Sequence, residues 1–166
     1  MKNVIILANL GNRNIAVRAD SRELKVIAGE RKQSFRDYTR ELVEVQTPDQ
    51  WAESLELRIL PPLLDKYREV TQAVFLFYTK QDDLPEGKPE NDTEFSARLV
   101  AELISRQWGL EAKLIRVDCI PVEVEALMSF YRRQLLELEA AYPDARWVVA
   151  DAGGTTQQKS ALKLVG

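Results

Sequence analysis

Trp147-Val148-Val149-Ala150-Asp151-Ala152-Gly153-Gly154-Thr155-Thr156-Gln157-Gln158-Lys159 is the stretch whose reading decides the fold. The four leading apolar residues read as a short buried strand. Two adjacent glycines then let the backbone turn tightly and let a ligand come close to the main chain. Thr155-x-x-Gln158 fits a capping box, so a helix is expected to start there. The free N–H groups at such a helix start favour a phosphate. Lys159, within the first turn or so, adds a positive charge. One reading is a site for a phosphate-bearing ligand; the other is a plain strand-to-helix turn.

Outward from this unit, the rest of the chain repeats the alternation. Residues 3–9 and Ala73–Thr79 are short apolar runs that suit buried strands, and Ala112–Val117 reads as a third strand. Helical signals lie between them. Asn91-x-x-Glu94 predicts a cap for a helix carrying Phe95, Leu99, Leu103 and Ile104, with Gly109 ending it. Pro121 is expected to open a long helix with Leu127, Met128, Tyr131, Leu135 and Leu138. Thr47-Pro48-Asp49-Gln50 is a strong helix start, and Trp51, Leu55, Ile59, Leu63 and Tyr67 keep helical spacing. Pro61-Pro62 should kink or split that helix. Residues 34–45 are ambiguous, with Phe35, Tyr38, Leu42 and Val43 suggesting a helical face. Ile15–Arg18 and Leu24–Ala28, separated by Asp20-Ser21-Arg22, read as a hairpin. The expected fold is α/β and Rossmann-like: a mainly parallel sheet, helices on both faces, and an added β-hairpin.

Composition narrows the chemistry. The 166 residues suffice for one domain with a proper core. The net charge of −3, without a long basic run, argues against a non-specific duplex DNA binder. No apolar stretch is long enough to span a bilayer, and the N-terminal one is too short for a signal peptide. A cytoplasmic protein with no membrane partner is expected. Cys119 is the single cysteine, which excludes an internal disulfide and a thiolate cluster. The chain has no histidine, so His-based triads, metal sites and acid–base catalysis are excluded. Asp82, Asp83 and Glu86 match no hard-cation spacing, so no metal is expected. G-x-G-x-x-G is missing after the first strand, as is G-x-x-x-x-G-K-[ST]. Nicotinamide chemistry and Walker-type hydrolysis are therefore disfavoured, and no cofactor is expected.

Ligands of open α/β sheets bind beyond the carboxyl ends of the strands, at a switch in strand order. Three loops leave strands at that edge. The first holds Asn9, Leu10, Gly11, Asn12 and Arg13. The second holds Thr79, Lys80, Gln81 and Asp82. The third holds Gly153, Gly154, Thr155, Thr156 and Gln157, followed by Lys159. Small or amide residues with a basic residue at or near the edge make a nucleotide-sized candidate site. Each has a plainer alternative: Gly11-Asn12 as a simple turn, Arg13 and Lys159 as solvated charges, Lys80 and Gln81 as part of a mobile acidic loop.

Asn9-Leu10-Gly11-Asn12 after strand one, with Asp151-Ala152-Gly153-Gly154-Thr155-Thr156 after the last strand, resembles the CRISPR-associated Rossmann fold (CARF) domain. Such domains carry an Asp-x-Thr-Gly-Gly-Thr-Lys-like signature at the last strand. Ala152 stands here where Thr is common, and Thr156 where Lys is common; Lys159 is the nearest lysine. The resemblance implies a sensor in type III CRISPR antiviral defence. It would bind a cyclic oligoadenylate, tetra- or hexa-adenylate, as a homodimer and regulate a linked effector. The ligand-binding residues implied are those of the three loops, Asp82 excepted. Because the family's ribonuclease effectors use His, none is expected on this chain; residues 1–166 would be the sensing part of a longer protein, with any effector beyond Gly166. Two alternatives stay open. One is a metal-independent ring nuclease on the same site, with Lys159 and Arg13 as the catalytic candidates. The other is a ligand-free protein-interaction module.

Overall fold

The structure, a computed structural model, describes residues 1–150 and 153–165. Asp151, Ala152 and Gly166, which the sequence reading uses, lie outside the described residues. At the centre runs β1 (Val4–Asn9), with all six residues buried. Val4, Ile6 and Ala8 enter one apolar cluster, Ile5 and Leu7 another. The next strand in the sheet, β4 (Thr71–Thr79), divides the same way, Val74 and Leu76 against Ala73, Phe75 and Phe77. Side chains of a strand alternate between faces, so a strand covered on both faces must be apolar throughout.

The main sheet has the order β5-β4-β1-β6, with β5 (Ala112–Val117) and β6 (Arg146–Val149) at its edges, and every pairing is parallel. One face packs against α1 (Leu24–Glu30), α2 (Phe35–Val45), α3 (Pro48–Ser54), α4 (Pro61–Tyr67) and α5 (Glu94–Trp108). The opposite face packs against α6 (Val124–Ala141) and α7 (Thr156–Val165), through Leu127, Phe130, Tyr131, Leu138, Ala161 and Leu162. This is the α/β, Rossmann-like arrangement expected. Several helix boundaries also match. Both halves of the Thr47–Gln50 capping box are formed, at 2.7 and 3.3 Å. Gly109 closes α5 at φ +66°. No helix among the described residues is long and apolar enough to cross a membrane.

Four local expectations need correction. The added antiparallel pair exists, but its strands are β2 (Ile15–Val17) and β3 (Leu55–Leu57). The turn at Asp20-Ser21-Arg22 does form, with the Ser21 N–H donating to the Val17 carbonyl and the Val17 N–H to the Arg22 carbonyl, both at 2.8 Å. One bridge, Ala16 to Glu23, follows before the chain enters α1. Leu24, Ile27 and Ala28 are buried while Val26 is exposed, which is a helical stripe and not a strand face. Secondly, the 47–67 helix is broken: α3 ends at Ser54, Leu55 and Leu57 are buried on either side of Glu56 as a strand, and Pro61-Pro62 begin α4. Proline is well placed there because the first helical N–H groups have no partner to lose. Thirdly, α5 is preceded by Thr93, and Asn91 sits in a short 3-10 turn, Pro89–Asn91. Lastly, α6 starts at Val124, three residues beyond Pro121.

Candidate functional site

In the order β5-β4-β1-β6 the chain moves from β1 to one side, through β4 and β5, then returns to β6 on the other. The switch lies between β1 and β6, and the loops leaving both strands meet there. They meet closely. A Cβ on Gly11 would lie 2.8 Å from the Gly154 nitrogen. One on Gly153 would lie 2.2 Å from the Asn9 carbonyl oxygen, and Gly153 sits at φ +94°. Only glycine permits that approach and that backbone angle.

Beneath the loops a buried polar chain fixes their relative position. Thr155 and Gln158 form the expected capping box: the Thr155 N–H donates to Gln158 Oε1 at 2.9 Å, and the Gln158 N–H to Thr155 Oγ1 at 3.0 Å. Gln158 Nε2 donates onward to the Tyr131 hydroxyl at 3.4 Å, and that hydroxyl donates to Asn9 Oδ1. The Thr155 hydroxyl in turn donates to the Pro121 carbonyl. Burial holds the Tyr131 phenol well above its ordinary range, so it remains a neutral donor. The box uses the N–H groups of Thr155 and Gln158. Those of Thr156 and Gln157 lie in the first turn of α7, where no helical carbonyl can reach them.

Two adjoining cavities open over this floor, sharing Gly11, Asn12 and Gly154. The larger, about 450 Å³, is bounded by those three residues with Gly153, Ile59, the cations Arg13, Arg58 and Lys159, and one carboxylate, Glu23. The smaller, about 240 Å³, is bounded by Leu10, Thr79, Gln81, Asn91, Thr93, Pro121, Thr155 and Gln158. Arg13 Nε lies 3.1 Å from Glu23. Arg58 lies 3.4 Å from Glu56, outside the cavity lining. Lys159 makes no ion pair among the described residues.

The three predicted loops therefore come together, with differences in what each residue does. Leu10, Gly11, Asn12, Arg13, Thr79, Gln81, Gly153, Gly154, Thr155 and Lys159 all line one or both cavities. Asn9 lies beneath them, bound to Tyr131. Thr156 and Gln157 lie outside both linings. So does Lys80, whose Nζ is 3.1 Å from Asp82; that hydrogen-bonded partner raises its pKa. Gln81 is held on both sides: its backbone N–H and Nε2 donate to Asp92 at 2.6 and 2.8 Å, while Oε1 accepts from the Lys88 N–H. Thr79 and Thr93 bind one another reciprocally, each backbone N–H donating to the other's hydroxyl. The acidic loop is clamped as well, Arg36 to Asp82 at 3.4 Å and Arg116 to Asp83. Among the described residues no group of three His, Cys, Asp or Glu side chains is placed to hold a metal. In the larger cavity, Glu23, Arg58 and Ile59 are the lining residues that the sequence does not mark, and all lie in or beside the two segments whose secondary structure differs from expectation; in the smaller, Asn91, Thr93, Pro121 and Gln158 are further lining residues that it does not mark.

No protein-family model matches the chain. No curated protein matches it. A search of solved structures finds similarity to Enterococcus italicus Csm6 bound to cyclic hexa-2′-fluoro-hexa-dAMP, with a TM-score of 0.55 and 14% sequence identity. The superposition covers 99% of this chain, and this chain spans 31% of that one. The likeness is one of fold. In this strand order, the loops after β1 and β6 form the rim that the switch opens.

Proposed function

We propose that the chain binds a cyclic oligoadenylate through the cavities at the β1–β6 switch, as a sensing domain of type III CRISPR defence. The observation that carries this reading is the contact between the Gly11 and Gly153-Gly154 loops under a cavity rimmed by Arg13, Arg58 and Lys159. Close main-chain approach and converging cations are what a phosphodiester needs. The likeness to Csm6, whose structure holds a ring of six nucleotides, supports the same ligand class, tetra- or hexa-adenylate. A ring with rotational symmetry suits two copies of this chain, since an isologous pair offers each half of the ring the same loops. Binding would then regulate an effector carried elsewhere in the protein.

Isothermal titration with cyclic hexa- and tetra-adenylate tests the reading. Heat with one nucleotide ring per two chains, and a dimer in sedimentation, is the expected result. Absence of heat with both rings would overturn it. Whether the ring is opened is a separate question; Lys159, which lines the cavity and makes no ion pair among the described residues, is the residue to remove when products are followed in EDTA.

A further inference from the structure

We infer that Glu23 is a specificity-determining residue which accepts a hydrogen bond from a ribose 2′-hydroxyl of the ring, so that the site distinguishes ribose from 2′-substituted sugars. The inference rests on the proposed ligand class. Glu23 is the only carboxylate lining the larger cavity among the described residues. An acid in a cavity for a polyanion opposes phosphate binding, so a phosphate contact does not explain its presence. A sugar hydroxyl or a base amine would welcome it, because an ionised carboxylate only accepts.

The local structure aims it there. Glu23 occupies the N-cap of α1, where an acid ordinarily accepts from the N–H groups of the first turn. Its side chain makes no such bond. Instead it turns to the cavity and meets Arg13 Nε at 3.1 Å, with its own side chain 24% exposed. Its backbone is pinned independently: the Glu23 carbonyl accepts from the Val26 and Ile27 N–H groups, and Glu23 bridges to Ala16. Arg13 is 72% exposed, so it orients the carboxylate while staying free for a phosphate on its outer side. A phosphate and its neighbouring 2′-hydroxyl are adjacent in a ribonucleotide, and so are the cation and the acceptor here.

The test compares cyclic hexa-adenylate with its 2′-fluoro analogue, cyclic hexa-2′-fluoro-hexa-dAMP, by titration calorimetry. Fluorine keeps the size of the position and removes the donor. The unaltered chain should bind the ribose ring about tenfold more tightly, the worth of a hydrogen bond to a charged group. Glu23→Ala should lose that preference by weakening the ribose ring alone. Glu23→Gln keeps a carbonyl acceptor and should retain part of it; both variants should melt like the parent. Tighter binding of both rings by Glu23→Ala and Glu23→Gln would overturn the inference, because Glu23 would then only mask Arg13. Equal affinities of the unaltered chain for the two rings would also overturn it, while leaving the proposed function standing. Failure of both rings to bind would remove the function and the inference together.

Discussion

The Tyr131 hydroxyl donates to the side-chain oxygen of Asn9 although the two residues are 122 positions apart in sequence. The bond ties the middle of α6 to the carboxyl end of β1, and through Gln158 to the start of α7. Tyr131 and Asn9 are both buried. Tyr131→Phe keeps the ring in its aromatic contacts with Phe77 and Phe130 and leaves the Asn9 oxygen without its donor. An unpaired buried acceptor costs about 1–3 kcal/mol. Urea denaturation should show that loss, and adding Asn9→Ala to Tyr131→Phe should cost less than the two changes summed.

Gly11 and Gly109 separate crowding from backbone preference. Gly109→Ala meets nothing within 4 Å and bears only the φ +66° penalty, about 1–2 kcal/mol. It should lower the melting temperature without changing ring affinity. Gly11→Ala drives a methyl against the Gly154 nitrogen at 2.8 Å and must push the β1 and β6 loops apart. Calorimetry should find its ring binding lost or sharply reduced, beyond what its change in stability accounts for.

Cations on the rim should act through the ligand's charge. Arg58→Ala and Lys159→Ala should each weaken ring binding about tenfold and flatten its salt dependence, since each removes one phosphate contact. Lys113→Ala, on the outer strand β5 where its Nζ meets the Tyr142 hydroxyl at 3.2 Å, should leave both unchanged. Affinities measured across a salt series decide between them.

Asp92 predicts a pH dependence of known sign. Burial raises its carboxyl pKa above the ordinary 3.8 and outweighs the bonds from Gln81 that lower it. The folded chain thus holds this proton more tightly than the unfolded one. Its contribution is fullest below 3.8 and is lost as pH rises through the folded value. Relative to Asp92→Asn, the unaltered protein should gain stability as pH falls from about 7 to about 4. A constant difference across that range would contradict the account.

How much of this was legible in the sequence depended on how local the cause was. Continuous apolar runs marked β1, β4 and β6 because both faces of the sheet are covered. Capping boxes at Thr47 and Thr155 marked helix starts because their bonds span three residues. The segments Leu24–Glu30 and Leu55–Leu57 were misjudged because their alternatives are settled by distant partners. A Leu24/Val26/Ala28 pattern fits a strand until Ile27 is found buried and Val26 exposed. Leu55 and Leu57 fit a helix until Ile15–Val17 pairs with them. Glu23 and Arg58 flank those segments, so the errors in fold hid half the charged lining of the larger cavity. Tyr131 was read only as a core residue, because nothing in a helical stripe reveals where a hydroxyl points.

β1 and β6 lie far apart in sequence, yet they are neighbours, with Val4 opposite Arg146 and Leu7 opposite Val149. During synthesis β1 must wait for every element between the two strands to emerge before its second neighbour exists. Pairings so remote in sequence are closed late and slowly. A nascent or truncated chain ending before Arg146 would lack the glycine pair and the start of α7, so the pocket comes into being only after β6 and the turn that follows it have been made.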